Sequence, residues 1–188
     1  MMQGEFVLEA MRTLKKNNIK TVIDTSATYI DEYTEDIIDE AQMLLLDIKH
    51  SDPKEFSKMC GCSQDKLLEM IELINDCGTP VWVRQVIVPG INDTEENIKA
   101  LAEFINKSLD NVYKVELLGY HTMALNKYEK LGMSYKLQGV PALDKDILVE
   151  KKKKIITIFY MELSKSFAYE GEKHDFWEMV YIDKGEMI

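Results

Sequence analysis

Residues 44–52 read LLLDIKHSD. Three leucines suit the interior of a sheet, yet Asp47, Lys49 and His50 follow at once. Charges at the end of an apolar strand either escape to solvent or serve a site, because an ionised group left without water or a partner is costly. The choice depends on what the neighbouring strands carry at the same height.

Outward from this stretch one pattern repeats: an amphipathic helix, a short apolar strand, a polar turn. "EFVLEAMRTLKKNN" (5–18) has Val7, Met11 and Leu14 at helical spacing, and "KTVIDTS" (20–26) reads as a strand. Ser63 suits the cap of a helix with Leu67, Leu68, Ile71 and Ile74 on its apolar face, closed by Gly78 with Pro80 beyond. "VWVRQVIV" (81–88) is a third strand, ending at Pro89-Gly90. Asp93 and Glu96 have capping-box spacing before the stripe Ile98, Leu101, Ala102 and Ile105. "YKVELLGY" (113–120) is a fourth strand, and a long helix runs from about Asp144 to Ser164. Continuously apolar strands alternating with helices predict an α/β fold, a parallel sheet covered on both sides. Right-handed crossovers point all four strands the same way, so their C-terminal ends open on one face, where ligands bind in such folds.

Each strand brings ionisable groups to that rim: Asp24 with Thr25, Asp47 with Lys49, Arg84 with Gln85, and Tyr120 with His121. Asp24 and Asp47 suit a cation or an ammonium group, while Lys49 and Arg84 suit a carboxylate. Two anions and two cations together fit a zwitterion.

The bulk numbers exclude several classes. The 188 residues suit one principal domain, and a net charge of -10 disfavours non-specific nucleic-acid binding, which needs a basic face. "KKKK" at 151–154 and the acidic "DEYTEDIIDE" (31–40) read as solvated helix faces. No apolar run reaches the ~18 residues of a membrane span and no signal peptide is evident, so a cytoplasmic protein is expected. Cys60, Cys62 and Cys77 are expected as reduced thiols. "CGC" has no second cysteine pair and no histidine at zinc-finger spacing, so a structural metal is not expected.

"DTSATY", "LLLDIKHSDPKEFSKMCGCS", "PVWVRQVIVPGINDTEENI", "VELLGYHTMALNKYEKLG" and "YKLQGVP" resemble, in order and spacing, the pyruvate formate-lyase activating enzymes. These are radical S-adenosylmethionine proteins that install a glycyl radical on a partner such as pyruvate formate-lyase. The resemblance implies a partial (β/α) TIM-like barrel with about four parallel strands and covering helices, over 1–165, followed by a divergent tail over 166–188. It implies cofactor contacts at Asp47, Ile48, Lys49 and His121, and an arginine, Arg84, facing cofactor and partner loop. It further implies a monovalent cation at Asp24, Thr25, the Leu45 backbone and Asp47. Ala27 stands where the family commonly has glycine, and Gly119 where it has proline.

The family's C-x3-C-x2-C loop, which holds a [4Fe-4S] cluster, and its "GGEP"-like turn are not in this sequence. The chain therefore reads as the last two-thirds of an oxidoreductase, with a partial S-adenosylmethionine site, no catalytic residue of its own and no activity in isolation. Self-association through an exposed edge strand is expected as well. The alternative is a non-catalytic binding module for a small zwitterion or a partner's loop.

Overall fold

The computed structural model describes residues 3–163 of the chain, the side chains as far as Ile155. Helix α1 (Gly4–Lys16) leads to strand β1 (Val22–Thr25); α2 (Thr34–Glu40) leads to β2 (Met43–Asp47). Two helices, α3 (Pro53–Cys60) and α4 (Asp65–Cys77), precede β3 (Val81–Ile87), and α5 (Glu95–Ser108) precedes β4 (Val112–Gly119). A 3-10 turn at Thr122–Ala124, the short α6 (Leu125–Lys130) and α7 (Lys145–Leu163) complete the described chain. No helix among the described residues is long and apolar enough to cross a membrane. The divergent tail, with the extra strand its alternation hints at, lies outside the described residues.

All strands pair in parallel, in the order β1-β2-β3-β4. Consecutive neighbours joined by crossovers of one hand put every helix on the same side, the winding of a (β/α) barrel rather than of a doubly wound sheet. The four strands thus form part of such a barrel wall. One expectation changes here: among the described residues, the strands are not fully buried on both faces. Burial alternates along β2 and β3, with Leu44, Leu46, Val81, Val83, Gln85 and Ile87 buried and the residues between them half-buried. The apolar runs of the sequence hide this alternation, because Leu45, Trp82 and Val86 line the open face with apolar groups.

The helix-covered face holds the core. Ile37 and Ile38 of α2, Phe56 of α3, Leu67, Met70, Ile71 and Ile74 of α4, and Ile98, Leu101 and Ile105 of α5 pack against Leu44, Leu46, Val81 and Val83. Acidic α2 is therefore solvated on one side only. On α4 it is Met70 that joins the core, while Leu68 lies exposed.

Local signals place the helix ends. Asp52 caps α3 by accepting from the amides of Lys54 and Glu55, with Pro53 in the first helical position. Gly78 ends α4 at φ 67, in the left-handed region that side chains resist. The capping-box reading at α5 shifts by one residue. Thr94, not Asp93, is the cap, accepting from Asn97 N–H, whereas the Asp93 carboxylate accepts from Gly90 N–H and closes the preceding turn. Similarly, Gln64 rather than Ser63 stands at the start of α4.

Candidate functional site

The open face is where the charged residues meet. The register sets Asp24 beside Leu45, Leu45 beside Trp82 and Trp82 beside Lys114; one step on, Asp47 lies beside Arg84 and Arg84 beside Glu116. With a side-chain period of two, all of these project to the same side, opposite the core.

Arg84 is the hub. Its Nη2 donates to Asp24 Oδ1 at 2.6 Å and its Nε to Asp47 Oδ1 at 3.1 Å. The other oxygen of Asp47 accepts from Lys49 Nζ at 3.2 Å. Three residues on adjacent strands, with Lys49 just past the end of β2, form one ionic chain: Asp24, Arg84, Asp47, Lys49. The Arg84 side chain is only 18% exposed and that of Asp47 23%, whereas Asp24 is 62% exposed. The Asp47 pair is thus the better shielded from solvent, whereas the Asp24 pair is the shorter. Burial works against the charged guanidinium, but the hydrogen bond and charge of Asp24, with Asp47, outweigh it and raise Arg84 above its ordinary pKa.

A second layer lies beneath. The Lys114 ammonium sits 4.2 Å from the Trp82 ring centroid, a cation–π contact. Trp82 Nε1 is buried and has no hydrogen-bond partner among the described residues. Neither Trp82 nor Lys114 was expected from sequence. An apolar-looking strand conceals which of its members face outward until the register is known.

The expected site residues are placed unevenly. Asp24, Asp47, Lys49 and Arg84 are brought together. Leu45 lies between them on the same face. Thr25 falls beside Leu46, on the helix-covered side of the strand, and its hydroxyl accepts from Ala27 N–H at 3.1 Å. Ile48 has its side chain in the core, its N–H donates to the Arg84 carbonyl, and its carbonyl accepts from Gln85 Nε2. Ile48 therefore positions β2 rather than presenting a free group. His121 is exposed, directly after β4, at the start of the 3-10 turn. Beside it the buried Tyr120 donates its hydroxyl to Tyr135 at 3.1 Å and accepts Leu143 N–H on its carbonyl. The hydrogen bond the two phenols share, burial and the neighbouring phenols together push the Tyr135 pKa up to about 12.

The end of β2 is held from within. Gln64, buried, donates Nε2 to the carbonyls of His50 and Ser51, and Gln85 does the same for Ile48. Buried His50 accepts Asp52 N–H on Nδ1, so a neutral ring carries its proton on Nε2, which has no partner among the described residues. These polar side chains fix the strand end that carries Lys49. After Leu46 the charges enter a shared network, and His50 turns inward.

Ala27 is buried with φ 55, in the left-handed region where a glycine costs nothing. The position where the resemblance expects glycine is thus one whose backbone favours it.

The model of the radical SAM superfamily matches residues 1–105. A pyruvate formate-lyase-activating enzyme of Clostridium pasteurianum is 40% identical over 155 residues, covering 82% of this chain and 63% of that protein. One from Staphylococcus epidermidis is 36% identical over 156 residues, covering 80% of this chain and 62% of its own length. The chain thus spans under two-thirds of these relatives. Among solved structures, a domain of a pyruvate-formate lyase-activating enzyme from Bacteroides vulgatus superposes with a TM-score of 0.65 at 19% identity, covering 85% of this chain and 87% of that domain. SuiB of Streptococcus suis bound to S-adenosylmethionine gives 0.59 at 20% identity, over 87% of this chain and 36% of that one. At these identities the superpositions establish the fold.

Proposed function

The chain belongs to the radical SAM superfamily, and on that premise we propose that its open sheet face forms part of the wall that holds S-adenosylmethionine while a glycyl radical is installed on a partner such as pyruvate formate-lyase. The observation that carries this reading is the Asp24–Arg84–Asp47–Lys49 chain: two anions and two cations on one face, matched to a ligand with both an ammonium and a carboxylate. The names of the similar enzymes support the choice of partner, and the superfamily supports that of ligand.

The [4Fe-4S] cluster that the family implies does not fit the residues of this chain. The sequence holds three cysteines. Cys60 and Cys62 flank the end of α3, whereas Cys77 ends α4, which leads into the opposite end of the sheet; its thiol faces the Glu35 carbonyl at 3.9 Å. No group of three candidate ligands converges among the described residues, and a cluster needs three or four thiolates together. No step is therefore derived through a cluster, and this chain by itself is expected not to cleave the cofactor reductively.

S-adenosylmethionine, when bound, supplies the carbon–sulfur bond whose breakage starts the radical chemistry. The protein side of the task is binding and orientation. Lys49 is placed to turn from Asp47 to a ligand carboxylate, and Asp47 to take an ammonium. His121, exposed beyond β4, closes the opposite edge, and Arg84 faces inward toward cofactor and partner loop. A monovalent cation at Asp24, Thr25, the Leu45 carbonyl and Asp47 would compete with Arg84 for both carboxylates. β1 forms an outer edge of the sheet with Val22 exposed, which favours self-association, and three free thiols suit a cytoplasmic setting.

Calorimetry with S-adenosylmethionine tests the reading. Each charge-assisted hydrogen bond is worth roughly 1.5–3 kcal/mol, so a wall using few of them binds in the millimolar range. Lys49→Ala and His121→Ala are each expected to weaken that binding about tenfold, while sedimentation of the same samples reads self-association. Tight binding indifferent to both changes would overturn the assignment. A second reading, a non-catalytic module for small zwitterions, is favoured by the lack of cluster ligands. Equal binding of methionine and S-adenosylmethionine would select it.

A further inference from the structure

We propose that Cys60 and Cys62 form a reversible dithiol–disulfide pair at the rim of the open face. Cys60 is the last residue of α3, half-buried against the core, and Cys62 is exposed. Gly61 between them caps the helix at φ 73, ψ 15. This left-handed, tightly curled conformation turns the chain back on itself, which keeps the flanking Cα atoms within the roughly 4.4–6.8 Å a disulfide spans. A side chain at residue 61 would resist that conformation; glycine does not. Cys62 is also close enough to bear electrostatically on the Cys60 thiol.

Their position gives the pair something to act on. Cys62 lines a cavity of about 270 Å³ with Phe56 and Lys66, together with Ala27 and Thr28 of the loop after β1. Burial, with the neighbouring Cys62, raises the Cys60 thiol above its ordinary pKa, and the ammonium groups of Lys49 and Lys136 offset this only in part. A bond between the sulfurs draws Cys60 away from its core neighbours or Cys62 away from the cavity wall. Cys77, at the far end of α4, cannot take part.

The oxidant is a low-molecular-weight disulfide such as oxidised glutathione. The exposed Cys62 thiolate attacks one of its sulfurs, forming a mixed disulfide and releasing one reduced thiol. The Cys60 thiolate then attacks the Cys62 sulfur, the protein S–S bond forms, and a second reduced thiol leaves. The two protein thiols lose two protons and two electrons, and the small disulfide is reduced to two thiols. A reduced dithiol reverses the sequence.

The test is intact-mass measurement of the full chain after equilibration with oxidised glutathione, with and without later dithiothreitol. The wild type and Cys77→Ser are expected to lose the mass of two hydrogens, dithiothreitol restoring it in both. Cys60→Ser and Cys62→Ser are expected to keep a glutathione adduct instead. Persistent adducts on wild-type Cys60 or Cys62, a bridge involving Cys77, or a covalent dimer would each overturn the proposal. Peptide mapping of the wild type distinguishes these outcomes should a serine variant fail to fold.

Discussion

Arg84→Met is expected to destabilise the folded chain by about 2–3 kcal/mol and to remove the binding assigned to the open face. Methionine keeps the length and apolar stem of the side chain, so the loss isolates the guanidinium. Removing one partner of a buried ion pair costs about 3–5 kcal/mol, because the other charge is left without compensation. Here the pair is only partly buried, and Asp24, being largely exposed, regains water cheaply. Most of the penalty therefore falls on Asp47, which keeps only Lys49 as a partner. Denaturant melting reads the loss, and the double variant Arg84→Met with Asp47→Asn is expected to recover more than half of it. Arg84→Lys is expected to be an incomplete substitute, since one ammonium cannot reproduce a fork that reaches two carboxylates on different strands. A melting midpoint unchanged in Arg84→Met would show that the network is solvated decoration.

Asn92→Ala is expected to cost about 2–4 kcal/mol, though Asn92 touches no proposed ligand. This side chain is buried, accepts Val88 N–H at 2.7 Å and donates to the Val86 carbonyl at 2.9 Å. It closes the turn that follows β3 through Pro89 and Gly90. Alanine strands a buried amide donor and a carbonyl acceptor, each worth about 1–3 kcal/mol when unsatisfied. Asn92→Asp keeps the acceptor but sets a carboxylate against the Val86 carbonyl, so its cost is expected to be similar or larger. Both are read from denaturant midpoints at constant slope.

The two residues differ in how legible they were. Arg84 stands out in sequence as a charge inside an apolar strand, and its company on the open face follows once parallel strands are assumed. Asn92 sits in a turn-like Pro-Gly-Ile-Asn run where asparagine is ordinary, and nothing local announces that both ends of its amide are used. Gln64 and Gln85 are similar: polar letters whose burial and carbonyl partners arise from neighbours far along the chain. Lys114 and Trp82 meet only because β4 pairs with β3 in one register, with an irregularity near Val81. Thr25 and Asp24, adjacent in sequence, fall on opposite faces of their strand for the same reason of pleat.

Local physical chemistry was enough to determine the alternation of helix and strand, the parallel sense of the sheet and the charges at Asp24, Asp47 and Arg84, because periodicity and turn chemistry are properties of neighbours in the chain. Only the tertiary structure decided that one face stays open, that Arg84 joins Asp24 to Asp47, and that Ile48 and His50 turn inward. Those outcomes depend on strand order and register, which are set by the packing of helices onto one side of the sheet and by hydrogen bonds between segments distant in sequence.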